Sequence, residues 1–123
     1  MAEAPLMVII DDDDAVRASL DDLIQSMGFR TQGFPSAAAF LETDEARAAA
    51  CLILDVRMPG INGLELQRQL IASNWHIPII FITSHSDDDA RTRALQAGAV
   101  AFLYKPCREE ELIEAINLAL KRF

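Results

Sequence analysis

Residues 6–14 are LMVIIDDDD, five apolar residues followed directly by four aspartates. A second apolar run, ACLIL at 50–54, also ends on an aspartate, Asp55. Short runs that are apolar throughout predict strands buried on both faces of a parallel sheet. Two such strands would each bring carboxylates to one edge of the sheet. Like charges gather there only when a cation or a chemical use holds them.

Strand-like and helical patterns alternate along the whole chain. Strands are predicted over 6–10, 29–34, 50–54, 77–82 and 100–104. Helices are predicted from Asp14 to Met27, from Ser36 to about Glu42, over 64–72, from Ser86 to Ala97 and over 109–121, with Asp14, Ser36 and Ser86 as N-caps. Because strand–helix–strand crossovers give parallel strands with helices on both faces, the sequence predicts a (βα)₅ fold of the α/β class.

Composition limits the classes of function. The 123 residues suit one domain, and a hydrophobic content of 51% predicts a packed core. A net charge of −8 with scattered basic residues argues against direct nucleic-acid binding by this segment. No apolar run is long enough to span a membrane, and the first residues do not resemble a signal peptide. Cys51 and Cys107 lack metal-ligand spacing, which favours free thiols in a reducing cytoplasm.

The predicted strands end in polar residues that suit phosphoryl chemistry. In open parallel sheets, ligands bind outside the carboxyl ends of the strands, and these ends carry Asp11 with Asp12, Asp55, Thr83 and Lys105. Mg²⁺ prefers a few carboxylates together with waters and phosphate oxygens. A hydroxyl and an ammonium complete the groups needed to hold a phosphoryl group in transfer, and an aspartate can be the nucleophile.

This constellation resembles the receiver domain of two-component response regulators, the CheY-like superfamily. The resemblance extends from about Met7 to Leu120 and rests on VIIDD at 8–12, DVRMPG at 55–60 with Gly63, Ile82-Thr83 and YKP at 104–106. The stretches 11–17, 55–59 and 83–87 are most similar to the FixJ branch, whose members usually carry a C-terminal helix-turn-helix output domain. The family fold is flavodoxin-like, a doubly wound parallel sheet of five strands in the order 2-1-3-4-5.

The resemblance also implies a role for each site residue. Asp55 would be the phosphoacceptor and a Mg²⁺ ligand, Asp12 a direct ligand, Asp11 a ligand largely through water, and Arg57 a ligand through its backbone carbonyl. Thr83, the backbone N–H of Ser84 and Lys105 would bind the phosphoryl oxygens. Thr83 and Phe102 would form the switch, and the Lys105–Pro106 peptide is expected to be cis.

The implied partner is a sensor histidine kinase that donates the phosphoryl group to Asp55. Thr83 would move toward the new oxygens, Phe102 would fill the vacated space, and the face of the fourth helix and fifth strand would change shape. A homodimer through that face and control of transcription are the family-based expectations. The chain would not be an enzyme acting on external substrates, because its chemistry is limited to Mg²⁺-dependent self-phosphorylation and autodephosphorylation.

Several residues keep two interpretations. The start of the first helix, rather than the metal site, is the better interpretation of Asp13 and Asp14. The first turn of the fourth helix is likewise the simplest interpretation of Asp87 to Asp89. The side chain of Arg57 is either solvated or gates access to Asp55, and His85 either tunes dephosphorylation or is a loop residue. Cys107 departs from the family pattern, which commonly has an aromatic residue after Lys-Pro.

Two other functions and two chain organisations stay open. A haloacid-dehalogenase-type phosphatase would need an acid two residues after its nucleophile, where this chain has Arg57. A receiver used without phosphorylation as a binding module is disfavoured by the complete acidic set, Thr83 and Lys105. The chain is either a single-domain regulator or the receiver (1–123) of a longer protein with a C-terminal output domain, which the FixJ-like features favour.

Overall fold

The computed structural model describes residues 4–84 and 87–121. Within these ranges the elements are β1 (Leu6–Ile10), α1 (Asp14–Ser26), β2 (Arg30–Phe34), α2 (Ala37–Leu41), β3 (Cys51–Leu54), α3 (Gly63–Ala72), β4 (Ile79–Thr83), α4 (Asp88–Gln96), β5 (Ala101–Tyr104) and α5 (Glu109–Lys121). A 3₁₀ turn over Glu45–Ala48 stands between α2 and β3, where the sequence predicted a charged connection.

The five strands form one parallel sheet in the order β2-β1-β3-β4-β5. This confirms the predicted α/β fold and the strand order 2-1-3-4-5. Every residue of β1, β3 and β4 is buried, while β2 at the edge is mostly polar and partly exposed. The apolar runs therefore became central strands, and the more polar run became an edge.

Two hydrophobic layers cover the two faces of the sheet. Alternate residues of a strand point to opposite faces, so Val8 and Ile10 pack in one layer, with residues of α2, α3 and α4, while Met7 and Ile9 pack in the other, with residues of α1 and α5. The central strands are thus clamped from both sides, which fixes the positions of their carboxyl ends.

The helix caps correct two details of the sequence prediction. Asp13, not Asp14, is the N-cap of α1, because its backbone is extended and its carboxylate accepts hydrogen bonds from the amides of Ala15 and Val16. The N-cap of α4 is Asp87, whose carboxylate accepts from the Ala90 amide; the predicted cap, Ser86, lies outside the described residues.

Strand starts also differ from the prediction. β4 begins at Ile79 instead of residue 77, after Pro78, which has no amide hydrogen to donate to a ladder. A capping box of Asn62 and Glu65 begins α3 and was not predicted.

We expect Gly63→Ala to lower the free energy of unfolding by about 1–3 kcal/mol through overpacking. A Cβ at Gly63 would lie 2.3 Å from the carbonyl oxygen of Asp55 and 3.0 Å from the Phe81 ring. Gly33→Ala is the matched control, because its Cβ would have no neighbour closer than 3.4 Å. Urea unfolding of both variants tests the expectation, and equal stability of the two would contradict it.

The buried thiol of Cys51 should make stability fall at alkaline pH. Burial raises the pKa of Cys51 from 9.0 to about 12. Between these values the unfolded chain loses this proton while the folded chain keeps it, so the free energy of unfolding decreases with rising pH, by at most about 1.4 kcal/mol per pH unit. Urea unfolding at several pH values above 9 gives the free energy of unfolding as a function of pH. This free energy should fall less steeply with rising pH for Cys51→Ala than for the wild type. The half-buried Cys107 offers the control, since Cys107→Ser should alter the slope less. Parallel curves for wild type and Cys51→Ala would disprove the assignment.

Candidate functional site

The polar residues at the carboxyl ends of the strands lie side by side because the ladders continue past the strands. The amide of Asp11 donates to the carbonyl of Phe34 at 3.1 Å, and the amide of Asp55 donates to the carbonyl of Ile10 at 3.0 Å. At the other side of the site, the amide of Lys105 donates to the carbonyl of Thr83 at 2.8 Å. The structure thus brings the predicted residues of β1, β3, β4 and β5 to one edge.

Three carboxylates converge at this edge. Asp11, Asp12 and Asp55 each offer an oxygen, and these oxygens all lie within 4.8 Å of one another. Asp11 and Asp55 are only 2% and 7% exposed, whereas Asp12 is exposed. Such a group of oxygen donors, open to solvent on one side, fits a hard divalent cation that retains some of its waters.

Lys105 bridges the two buried carboxylates. Its Nζ donates to Oδ2 of Asp11 at 2.7 Å and to Oδ2 of Asp55 at 3.0 Å. The remaining oxygens accept from backbone amides, Oδ1 of Asp11 from Asp13 at 2.9 Å and Oδ1 of Asp55 from Arg57 at 3.2 Å. The ammonium of Lys105 therefore lies between the carboxylates of Asp11 and Asp55.

The charges at the site do not balance. Burial raises the pKa of Asp55 above its ordinary value and the neighbouring charge of Asp11 adds to this, although Lys105 and the Arg57 amide act in the opposite direction. Burial opposes the charge of Lys105, but its hydrogen bonds to Asp11 and Asp55 outweigh burial and its pKa lies above the ordinary value. Lys105 thus supplies one positive charge to a group of three carboxylates and is bonded to two of them, which leaves this group negative and receptive to a further cation.

Thr83 and Phe102, the predicted switch residues, are both buried. Thr83, 1% exposed, is the last residue of β4, and Ser84 follows it at the surface. Phe102 in β5 pairs in register with Phe81, and the centroid of its ring is 5.8 Å from that of Phe81 and 5.6 Å from that of Tyr104. Phe102 therefore packs in the hydrophobic core. His85 lies outside the described residues.

The side chain of Arg57 links the loop after Asp55 to the start of α4. Its Nη2 is 3.7 Å from Oδ2 of Asp87, the N-cap of α4, and both side chains are partly exposed. The sequence left this side chain either solvated or gating, and the structure gives it an ion-pair partner. The Lys105–Pro106 peptide is cis, as the resemblance implied.

Sequence reasoning assigned no role to Arg17, although it contacts the site. Its Nη1 donates to the backbone carbonyl of Asp11 at 2.7 Å. A usable signal was present, because Arg17 stands three residues after Asp14 on the same helix and can turn back toward the loop before it.

Comparison with known proteins identifies the family. The model of the response regulator receiver domain matches residues 7–117. The chain belongs to this family.

Relatives and solved structures agree with this assignment. The receiver domain is 49% identical over 118 residues to the response regulator protein TodT of Pseudomonas putida, covering 96% of the chain and 52% of TodT. It is 42% identical over 122 residues to the transcriptional regulatory protein FixJ of Azorhizobium caulinodans, covering 99% and 58%. The structure of the response regulator StyR is similar with a TM-score of 0.89 at 44% identity, covering 97% of the receiver domain and 60% of that chain.

Family membership decides between the broad classes of function. The chain is the receiver domain of a two-component response regulator, which is a signalling protein and not a hydrolase of the haloacid-dehalogenase type. It spans about half the length of the curated relatives it matches. In the described part of the chain no helix has the length and apolarity to cross a bilayer.

Removing the bridging ammonium should destabilise the receiver domain. Lys105→Met deletes two charge-assisted hydrogen bonds and leaves Asp11 facing Asp55, so we expect the free energy of unfolding at neutral pH without divalent cations to fall by about 1.5–3 kcal/mol. In an Asp55→Asn background the same change should have a smaller effect, because one of the two carboxylates is gone. Lys121→Met, at an exposed lysine of α5, is the control. Urea denaturation of the wild type, the three single variants and the double variant measures these effects, and an equal effect of Lys105→Met in both backgrounds would refute the bridge.

Proposed function

We propose that the receiver domain accepts a phosphoryl group from a sensor histidine kinase on Asp55, with Mg²⁺ as cofactor. The supporting observation is the convergence of three carboxylate oxygens within 4.8 Å of one another, beside an ammonium 2.7 Å from Asp11 and 3.0 Å from Asp55. A nucleophilic carboxylate, a cation site and a mobile positive charge are the groups that phosphoryl transfer requires.

The chain offers a fitting set of Mg²⁺ ligands in Asp11, Asp12, Asp55 and the backbone carbonyl of Arg57. Mg²⁺ would neutralise charge between the carboxylates and the phosphoryl oxygens. Asp12 is exposed, so this side of the set remains open to water and to the incoming phosphoryl group. Burial, and to a lesser degree the charge of Asp11, raises the pKa of Asp55, and a bound cation would favour its ionised form.

The transfer itself exchanges one bond to phosphorus for another. A carboxylate oxygen of Asp55 attacks the phosphorus of the kinase's phosphohistidine in line, the phosphorus–nitrogen bond breaks, and the imidazole leaves with the electron pair. Lys105 is hydrogen-bonded to Asp55 and would then pair with a phosphoryl oxygen, to which the negative charge has moved. Thr83 and the backbone N–H of Ser84 would bind the other oxygens.

The proposed output is a conformational switch. Thr83 would move toward the phosphoryl oxygens, and Phe102 would turn into the vacated space, away from Phe81. The face of α4 and β5 would then change and form a homodimer. Shifting such an equilibrium from mostly inactive to mostly active requires about 3–5.5 kcal/mol of differential stabilisation.

We further propose that the switch controls transcription through an output domain in a longer protein. The name of FixJ as a transcriptional regulatory protein supports this, since the receiver domain is 42% identical to it. The net charge of −8 supports a segment that does not itself bind nucleic acid. The two free thiols are consistent with the expected cytoplasmic location.

Phosphorylation by a small acyl-phosphate donor tests the proposal directly. We expect the mass of the wild type to increase by one phosphoryl group in Mg²⁺, and no increase in EDTA or for Asp55→Asn, because the nucleophile is lost. Asp12→Asn should need a higher Mg²⁺ concentration for the same rate.

The matched control is Asp13→Asn, which removes the same charge one residue away while asparagine still caps α1. Its Mg²⁺ dependence should stay close to that of the wild type. Phosphorylation of Asp55→Asn at the wild-type rate would sink the assignment of the phosphoacceptor.

A further inference from the structure

Arg17, the fourth residue of α1, connects three separate parts of the chain. Its Nη1 donates to the backbone carbonyl of Asp11 at 2.7 Å, and its Nη2 donates to Oδ1 of Asp14 at 2.5 Å. Its stem atoms lie 3.4–3.8 Å from where a Cβ of Gly33 in β2 would stand. The side chain is 21% exposed, so the strand and the loop hold it in place.

The contacts of Arg17 complete the set of hydrogen bonds made by Asp11. Oδ1 of Asp11 accepts from the Asp13 amide, Oδ2 accepts from Lys105, and the amide donates to Phe34. The carbonyl of Asp11 accepts from Arg17. This carbonyl belongs to the peptide plane that joins Asp11 to Asp12.

Asp12 depends on its backbone for its direction. It is exposed, and within residues 4–84 and 87–121 no hydrogen bond or ion pair is found for its carboxylate. The peptide plane before it is held by Arg17, and the plane after it is held by the bond from the Asp13 amide to Asp11. Two fixed planes determine the backbone angles of the residue between them, and therefore the direction in which its Cα–Cβ bond points.

We propose that Arg17 is a positioning residue that sets the Mg²⁺ affinity of the site by orienting Asp12. The inference rests on the proposed function, because it takes Asp12 as a Mg²⁺ ligand. The positive charge of Arg17 alone would have the opposite effect, since it repels a divalent cation. Its ion pair with Asp14 offsets part of that charge. Replacing Arg17 should therefore weaken Mg²⁺ affinity if orientation dominates, and strengthen it if charge dominates.

The test is the Mg²⁺ dissociation constant of Arg17→Met, measured by isothermal titration calorimetry at a temperature where the protein is folded. Loss of a group that orients a metal ligand typically weakens metal affinity by about tenfold or more. We expect a weakening of about tenfold. Affinity equal to or tighter than that of the wild type would overturn the proposal, and tighter affinity is the result that charge alone predicts.

Arg17→Lys keeps the positive charge, and it is the variant to titrate with Mg²⁺ if Arg17→Met does not fold. Lysine lacks the two-pronged fork that reaches Asp11 and Asp14 together. We expect the Mg²⁺ affinity of Arg17→Lys to be weaker than that of the wild type, and wild-type affinity in this variant would count against positioning.

Two controls separate orientation from bulk charge. Asp14→Asn breaks the ion pair but leaves the bond from Arg17 to the Asp11 carbonyl, so it should change Mg²⁺ affinity by less than about threefold, as expected for an exposed charge. Arg68→Met removes the same charge from the exposed face of α3 and should act as weakly. A change as large as that of Arg17→Met in either control would also overturn the proposal.

A second readout distinguishes positioning from a purely structural role. Mg²⁺ should raise the free energy of unfolding by RT ln(1 + [Mg²⁺]/Kd). A structural role would lower stability in EDTA and leave this increment unchanged, whereas positioning reduces the increment itself. If the wild type shows no increment, the proposed Mg²⁺ site fails along with this inference; if the wild type shows it and Arg17→Met keeps it in full, only the role of Arg17 fails.

Discussion

The repulsion between the carboxylates of Asp11 and Asp55 is the constraint that the rest of the structure accommodates. Both groups are buried at the ends of adjacent central strands, where water screens their charges poorly. Lys105 reaches across from the end of β5 and donates to both. The ammonium of Lys105 does not neutralise all three carboxylates, so the group keeps a net negative charge in the absence of a bound cation. The proposed chemistry depends on this negative charge, because it favours the binding of Mg²⁺.

The surrounding elements keep this unfavourable group from moving apart. The ladders extend one residue beyond the strands and hold the backbones of Asp11 and Asp55, and two hydrophobic layers clamp the strands behind them. The close approach of α3 at Gly63 leaves no room for a side chain beside the Asp55 carbonyl. Arg17 ties the loop of Asp11 to α1 and β2. Helices begin around the site with aspartate caps, which places further negative charge nearby and links α4 to the Arg57 loop.

The strands and the acidic residues were predictable from the sequence because they depend on local patterns. Continuous apolar runs identify central strands, and an aspartate at the end of such a run reaches the sheet edge in any parallel fold. Cap positions were less predictable: Asp13 and Asp14 are chemically identical, and only the backbone angles decide that Asp13 lies outside the helix. The partner of Arg57 was not predictable, because a long side chain has several carboxylates within reach. For Arg17 the helical spacing indicated Asp14, but only the structure shows the second contact, to the backbone carbonyl of Asp11.

The sequence by itself determined the class of fold, the strand order through its family resemblance, and the residue types that converge on the site. Tertiary structure alone decided the pairing of those residues. Lys105 and Asp11 are 94 positions apart, and their 2.7 Å contact exists because β1, β3, β4 and β5 end at the same edge. Tertiary structure also decided which of the four consecutive aspartates is buried and bonded to Lys105 and which is exposed. Burial and such hydrogen bonds depend on neighbours that are distant in the chain.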